Sequence, residues 1–104
     1  MKLLRWISAL CLVGAVGAAQ AAGQPDPNLA RNLAATCANC HGTNGRAVAG
    51  AGNDALAGVD KDKLMQKLRD FRSGAKPATI MHQISKGYTE AQLELVAAYF
   101  AAQK

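Results

Sequence analysis

Apolar and polar residues alternate differently in successive stretches of this 104-residue chain. Residues 6–19, "WISALCLVGAVGAA", are apolar except for Ser8. After the polar lead-in "GQPDPN", the stretch "NLARNLAATCANC" places Leu29 and Leu33 one helical turn apart. It predicts a helix running into the two cysteines, with Asp26 as cap and Pro27 at its first position. Residues 42–59 hold five glycines and no sustained period, a loop long enough to expect a functional role. Periodicity returns in "DKDKLMQKLRDFRSG", where Leu64, Leu68 and Phe71 form one stripe between a capping Asp60 and a terminating Gly74, and Lys63, Lys67 and Asp70 share a wet face. Residues 75–87 have room for one short helix at most. The last stretch, "TEAQLELVAAYFAAQ", starts with the capping-box pair Thr89 and Gln92 and turns Leu93, Val96, Ala97 and Phe100 to one side. No strand alternation and no repeat occurs. The prediction is an all-α fold of four to five helices around a glycine-rich loop.

The apolar run changes the domain picture. With Lys2 and Arg5 before it and the small-residue site "AQA" after it, residues 1–22 read as a cleaved secretory signal peptide, leaving one domain over 23–104. An uncleaved anchor is the competing reading, disfavoured because the run is short for a membrane span. Cys11 reads as a small apolar residue of that segment rather than a lipidation site, since Leu10 precedes it. Removing Lys2 and Arg5 leaves ten basic against seven acidic residues, +3 instead of +5. That balance, without interleaved aromatics, gives no case for nucleic acid. Export implies a periplasmic, oxidising setting, no stable membrane insertion, and a monomer or heteromer.

The domain is small, and its aromatics are only Phe71, Tyr88, Tyr99 and Phe100. A core this thin usually needs a staple, a metal or a cofactor. "TCANCHG" offers one. Cys37-Ala-Asn-Cys40-His41 has the arrangement of a c-type haem attachment: two thiols under the two vinyl groups of one porphyrin, and an imidazole beneath the iron. Two other chemistries compete. A bare or redox-active disulfide would not need His41, and a thioredoxin-type motif needs a βαβ context. A zinc site would need His82, 41 residues from His41, and would put adjacent Cys40 and His41 on one tetrahedron.

The second axial position decides what such a haem does. A methionine sulfur closes the iron and raises its potential, as in an electron carrier, whereas an open iron serves an enzyme or a gas sensor. Met65 sits beside the apolar stripe of its helix and reads as core. Met81 lies between two helices, 40 residues after His41, and is the expected ligand. His82 is the alternative, but neighbouring side chains point about 100° apart, so one of the two reaches the iron.

Over almost all of 23–104 the chain resembles a small bacterial class I cytochrome c. The resemblance rests on "NLAATCANCHGTNG", "LAG" and "TIMHQISKGYTEAQLELVAAYFA". It implies helices wrapped around one covalently attached haem c, with the first and last helices crossing through Leu29 and Leu33 against Val96, Tyr99 and Phe100. The implied ligands are His41 and Met81. "LRDFRSGAKPATIMHQISKGYT" looks most like the haem subunit of flavocytochrome c sulfide dehydrogenases. One departure stands out. The family usually has a proline two residues before the Leu of "LAG", its carbonyl bonded to the ligand histidine; here that position is Asp54. The implied role is a non-enzymatic electron carrier with redox partner proteins, a terminal oxidase or reductase or a flavoprotein subunit in sulfide oxidation. An open-site haem enzyme or gas sensor is the further alternative. The cations Lys61, Lys63, Lys67, Arg69, Arg72 and Lys76 read either as a docking face or as an ordinary solvated helix.

Overall fold

A computed structural model describes residues 25–104. The signal-peptide expectation for 1–22 lies outside the described residues. Five α-helices follow in order: α1 (Leu29–Ala34), α2 (Ala38–His41), α3 (Lys61–Ser73), α4 (Met81–Lys86) and α5 (Glu90–Ala101). Short 3₁₀ turns lie at Ala35–Cys37 and Thr43–Gly45. Among the described residues there is no strand, and no helix is long and apolar enough to cross a membrane.

α3 and α5 begin where their polar residues direct. The Asp60 carboxylate accepts from the backbone N–H of Asp62 and Lys63, filling two of the donors that a helix start leaves open. Gly74 ends α3 with a left-handed backbone. Thr89 Oγ1 accepts from Gln92 N–H while Gln92 Oε1 accepts from Thr89 N–H, a complete capping box for α5.

The start of α1 differs from expectation. Asp26 Oδ1 accepts from Asn28 N–H, and the Asp26 carbonyl accepts from Leu29 N–H. Asp26 therefore caps a turn with Pro27 and Asn28 at its centre, a position for which proline's fixed φ is well suited. The helix proper starts two residues later, at Leu29 behind Asn28. Nor does α1 run unbroken into the cysteines: it tightens into the 3₁₀ turn just where Ala34 packs into the core. The tightening preserves the inward stripe, because Leu33, Thr36, Cys37, Cys40 and His41 keep the i, i+3, i+4, i+7, i+8 spacing and all face one cavity.

The core is built on α5. Leu93, Val96, Ala97 and Phe100 are buried on one face and meet Ala34 of α1 with Leu64 and Met65 of α3. Met65 is core, as its place beside the stripe predicted. α1 and α5 pack against each other, and so do α3 with α4 and α3 with α5. Of the two leucines expected at the α1–α5 contact, Leu33 packs against the core beside the buried Ala34, while Leu29, in the first turn, stands 43% exposed.

The glycine-rich loop is anchored at both ends. The Gly45 carbonyl accepts from the N–H groups of Leu56 and Ala57, and Gly58 N–H donates to the Phe100 carbonyl. A Cβ on Gly45 would come within 2.8 Å of both Ala57 N and Phe100 Cδ1, so the loop lies flat against α5 only because that side chain is absent.

Candidate functional site

One cavity of about 820 Å³ occupies the space between α1–α2, α3, α4 and the glycine-rich loop. Its size is that of a cofactor site. α3 gives it Leu64, Leu68 and Phe71, and α5 gives Val96, Ala97 and Phe100. Leu33 and Leu56 add to this apolar wall. Cys37, Cys40, His41 and Met81 all line the same cavity.

The cysteine motif is held by a sharp reversal. α2 ends at Gly42, whose φ of 81° is left-handed, and a Cβ there would stand 1.7 Å from the Arg46 carbonyl oxygen. Any side chain at that position would force the loop away from His41. The reversal brings Asp54 beside the imidazole: His41 Nδ1 and the Asp54 carbonyl oxygen are 2.6 Å apart. A carbonyl only accepts, so Nδ1 carries the proton and the Nε2 lone pair is free to bind a metal. Asp54 thus supplies the carbonyl expected at this position without a proline.

Both thiols are free of a disulfide. Burial pushes the Cys37 thiol above its usual range, against a smaller downward pull from hydrogen bonding, that of the Thr36 hydroxyl first. A disulfide oxidoreductase needs the reverse, a thiolate stabilised near neutral pH. Among the described residues no three His, Cys, Asp or Glu side chains gather as an ion site.

Met81 and His82 part company. Met81 is the first residue of α4, directly after Ile80, and lines the cavity. His82 is absent from the cavity wall, and its Nδ1 is buried without a hydrogen-bond partner among the described residues. Within α4, Ser85 is fully buried and its hydroxyl donates back to the His82 carbonyl at 3.4 Å.

Two long-range contacts that local patterning could not reveal close the site. Thr36 Oγ1 and Tyr88 Oη share a hydrogen bond at 2.7 Å, joining the cysteine segment to the α4–α5 turn across 52 residues. Lys67 Nζ lies 3.6 Å from Asp54 Oδ2, joining α3 to the loop. Arg69 and Arg72 both pair with Glu90, and Lys76 sits over the Phe71 ring at 5.3 Å. Of the six cations expected on one solvated or docking face, only Lys61 and Lys63 make no such contact among the described residues. Lys63 and Lys67 are exposed and Asp70 is half-buried, as a shared wet face requires, but Lys67 also borders the cavity and Asp70 accepts from Gln66 Nε2.

The family model described as cytochrome c matches residues 28–104. The chain belongs to the cytochrome c family. A cytochrome c domain carries covalently bound haem c, and this cavity fits one: its lining brings together two thiols, an imidazole with Nε2 free, a thioether and an apolar wall. Among relatives, a "Thiosulfate dehydrogenase electron acceptor" of Stutzerimonas stutzeri is 34% identical over 106 residues, covering 98% of this chain and 49% of that protein. A "Cytochrome subunit of sulfide dehydrogenase" of Chlorobaculum tepidum is 34% identical over 68 residues, covering 65% of this chain and 60% of that protein. A "Cytochrome c4" of Pseudomonas aeruginosa is 34% identical over 103 residues, covering 99% and 49%. The chain therefore spans about half to three fifths of the length of these relatives.

Proposed function

We propose that this cytochrome c is a periplasmic electron carrier rather than an enzyme. Residues 1–22 direct its export and are removed, leaving 23–104 as the monohaem domain. Cys37 and Cys40 would hold the haem through thioethers, and His41 Nε2 and Met81 Sδ would ligate its iron. The observation that carries this reading is the meeting of all four side chains on one cavity, with His41 Nδ1 already engaged by Asp54.

Bound haem c supplies a one-electron ferric/ferrous couple. The protein's part is to set its potential and keep it dry. The Asp54 carbonyl fixes the imidazole's tautomer and orientation and strengthens it as a donor. Met81, a soft thioether, favours the ferrous state and fills the position an exogenous ligand would need. The walls from α3 and α5 exclude water, which disfavours the more highly charged ferric form. Lys61 and Lys63 are left to guide a redox partner by charge.

The chain expressed with residues 1–22 in a host that matures c-type haem should contain one haem per chain, retained on denaturation. The native reduced spectrum should be indifferent to carbon monoxide. Carbon monoxide binding without denaturation would indicate an open iron and defeat the carrier reading in favour of an enzyme or sensor.

A second reading makes the chain the haem subunit of a sulfur-oxidising enzyme, taking electrons from a flavoprotein. It is favoured by the relative named as a cytochrome subunit of sulfide dehydrogenase. Co-purification of a flavin-bearing protein from the native source separates it from a free carrier.

A further inference from the structure

The carbonyl that orients His41 belongs to a weakly held stretch. Between Ala47 and Ala55, the other hydrogen bonds among the described residues are local: Ala51 N–H to the Val48 carbonyl, and Asn53 Nδ2 to the Ala51 carbonyl. Gly50 and Gly52 both have positive φ and nothing within 4 Å of the place a Cβ would take, so the chain there is neither braced nor crowded. Among the described residues, only two hydrogen bonds or ion pairs leave this stretch for the rest of the protein, and both are made by Asp54. Its carbonyl meets His41 Nδ1 at 2.6 Å, and its carboxylate meets Lys67 Nζ at 3.6 Å. The second partner is on firm ground. Lys67 sits in the middle of the thirteen-residue α3, one turn after the buried Leu64 and Met65.

We propose that Lys67 is a positioning residue for the axial imidazole: by holding the Asp54 carboxylate it fixes the Asp54 carbonyl against His41, and so sets the donor strength of the iron ligand. This rests on the reading of His41 as that ligand. The pair is about half exposed on the lysine side and 73% exposed on the aspartate side. Exposed pairs are weak and screened by salt. The device is therefore a light brace whose hold on His41 fades as ionic strength rises.

The brace and a bare charge effect have opposite signs. Deleting the Lys67 charge, if that charge acted only through its field, would remove a cation near the haem and lower the potential. Releasing the Asp54 carbonyl weakens the His41 hydrogen bond, makes the imidazole a poorer donor and raises the potential.

The test uses the haem-loaded ferrous protein and follows solvent exchange of the His41 Nδ1 proton by NMR, with the reduction potential measured alongside. Lys67→Gln should speed exchange by about two- to fivefold at low salt and raise the potential, Lys67→Arg should restore both, and high salt should bring wild type to the Gln variant's exchange rate. Unchanged exchange in Lys67→Gln, or a lowered potential, overturns the brace. The visible spectrum of each variant reports ligation separately. A spectrum unlike wild type in Lys67→Gln also overturns the brace, which alters donor strength and not ligand identity. Wild type lacking a His-ligated low-spin spectrum would instead defeat the ligand reading itself.

Discussion

Phe100→Ala is the most informative single truncation in the core. The ring is 3% exposed, lies edge-on to Tyr99 with centroids 5.4 Å apart, touches the backbone of the glycine-rich loop at Gly45, and forms part of the haem cavity wall. Losing the buried ring surface removes about 2–3 kcal/mol of transfer free energy. The lost edge-to-face contact adds about 0.5–1.5 kcal/mol. The sum, about 2.5–4.5 kcal/mol, overlaps the usual range for a buried Phe→Ala change. The backbone bond from Gly58 N–H to the Phe100 carbonyl survives the substitution and contributes nothing to the difference. Leu95→Ala is the control: it is on the same helix, gives the same new residue, and truncates a side chain already 38% exposed. It should cost less than about 1 kcal/mol. Guanidinium unfolding of the haem-loaded protein, followed by the haem absorbance, should show a lower midpoint for Phe100→Ala with a similar slope. A loss under about 1 kcal/mol, or one no larger than that of Leu95→Ala, would refute this description of the core.

Asp60→Ala should lower stability by about 1 kcal/mol in the same assay, through loss of two cap bonds and with an unchanged visible spectrum. Tyr88→Phe removes the hydroxyl that reaches Thr36 and should cost about 0.5–1.5 kcal/mol. Its partner Thr36→Val should cost a similar amount, and the double variant little more than either; full additivity would mean that the bond is not formed in solution.

How much of this was legible in the sequence depended on how local each cause is. Asp60 with Gly74, and Thr89 with Gln92, announce α3 and α5 because a cap acts within a few residues of itself. The buried face of α5 follows from spacing alone. The cysteine motif was readable because its chemistry fixes its spacing, and cytochrome c family membership agrees with it. The tightening at Ala35–Cys37 was hidden: no Gly or Pro marks it, and it coincides with a tertiary contact of Ala34. Asp26 misled because an aspartate before proline suits a turn as well as a helix start. Leu29 kept the helical period but sits in the first turn, where the neighbouring helix gives it little cover. The Thr36–Tyr88 bond, the Lys67–Asp54 pair and the Arg69 and Arg72 contacts to Glu90 join residues 13 to 52 positions apart. Only the folded chain reveals them. They also turn a row of cations, uniform in sequence, into side chains with separate tasks.

The proposed role of Met81 is to complete the coordination of an iron held by His41. The most direct measurement is the oxidised visible spectrum of the wild type beside Met81→Ala. Wild type should be low-spin with the weak far-red band of sulfur bound to ferric iron, and Met81→Ala should lose that band. A low-spin wild type without the band would pass the ligand role to His82 despite its place off the cavity, and a high-spin wild type would mean an open iron; either would contradict the role of Met81.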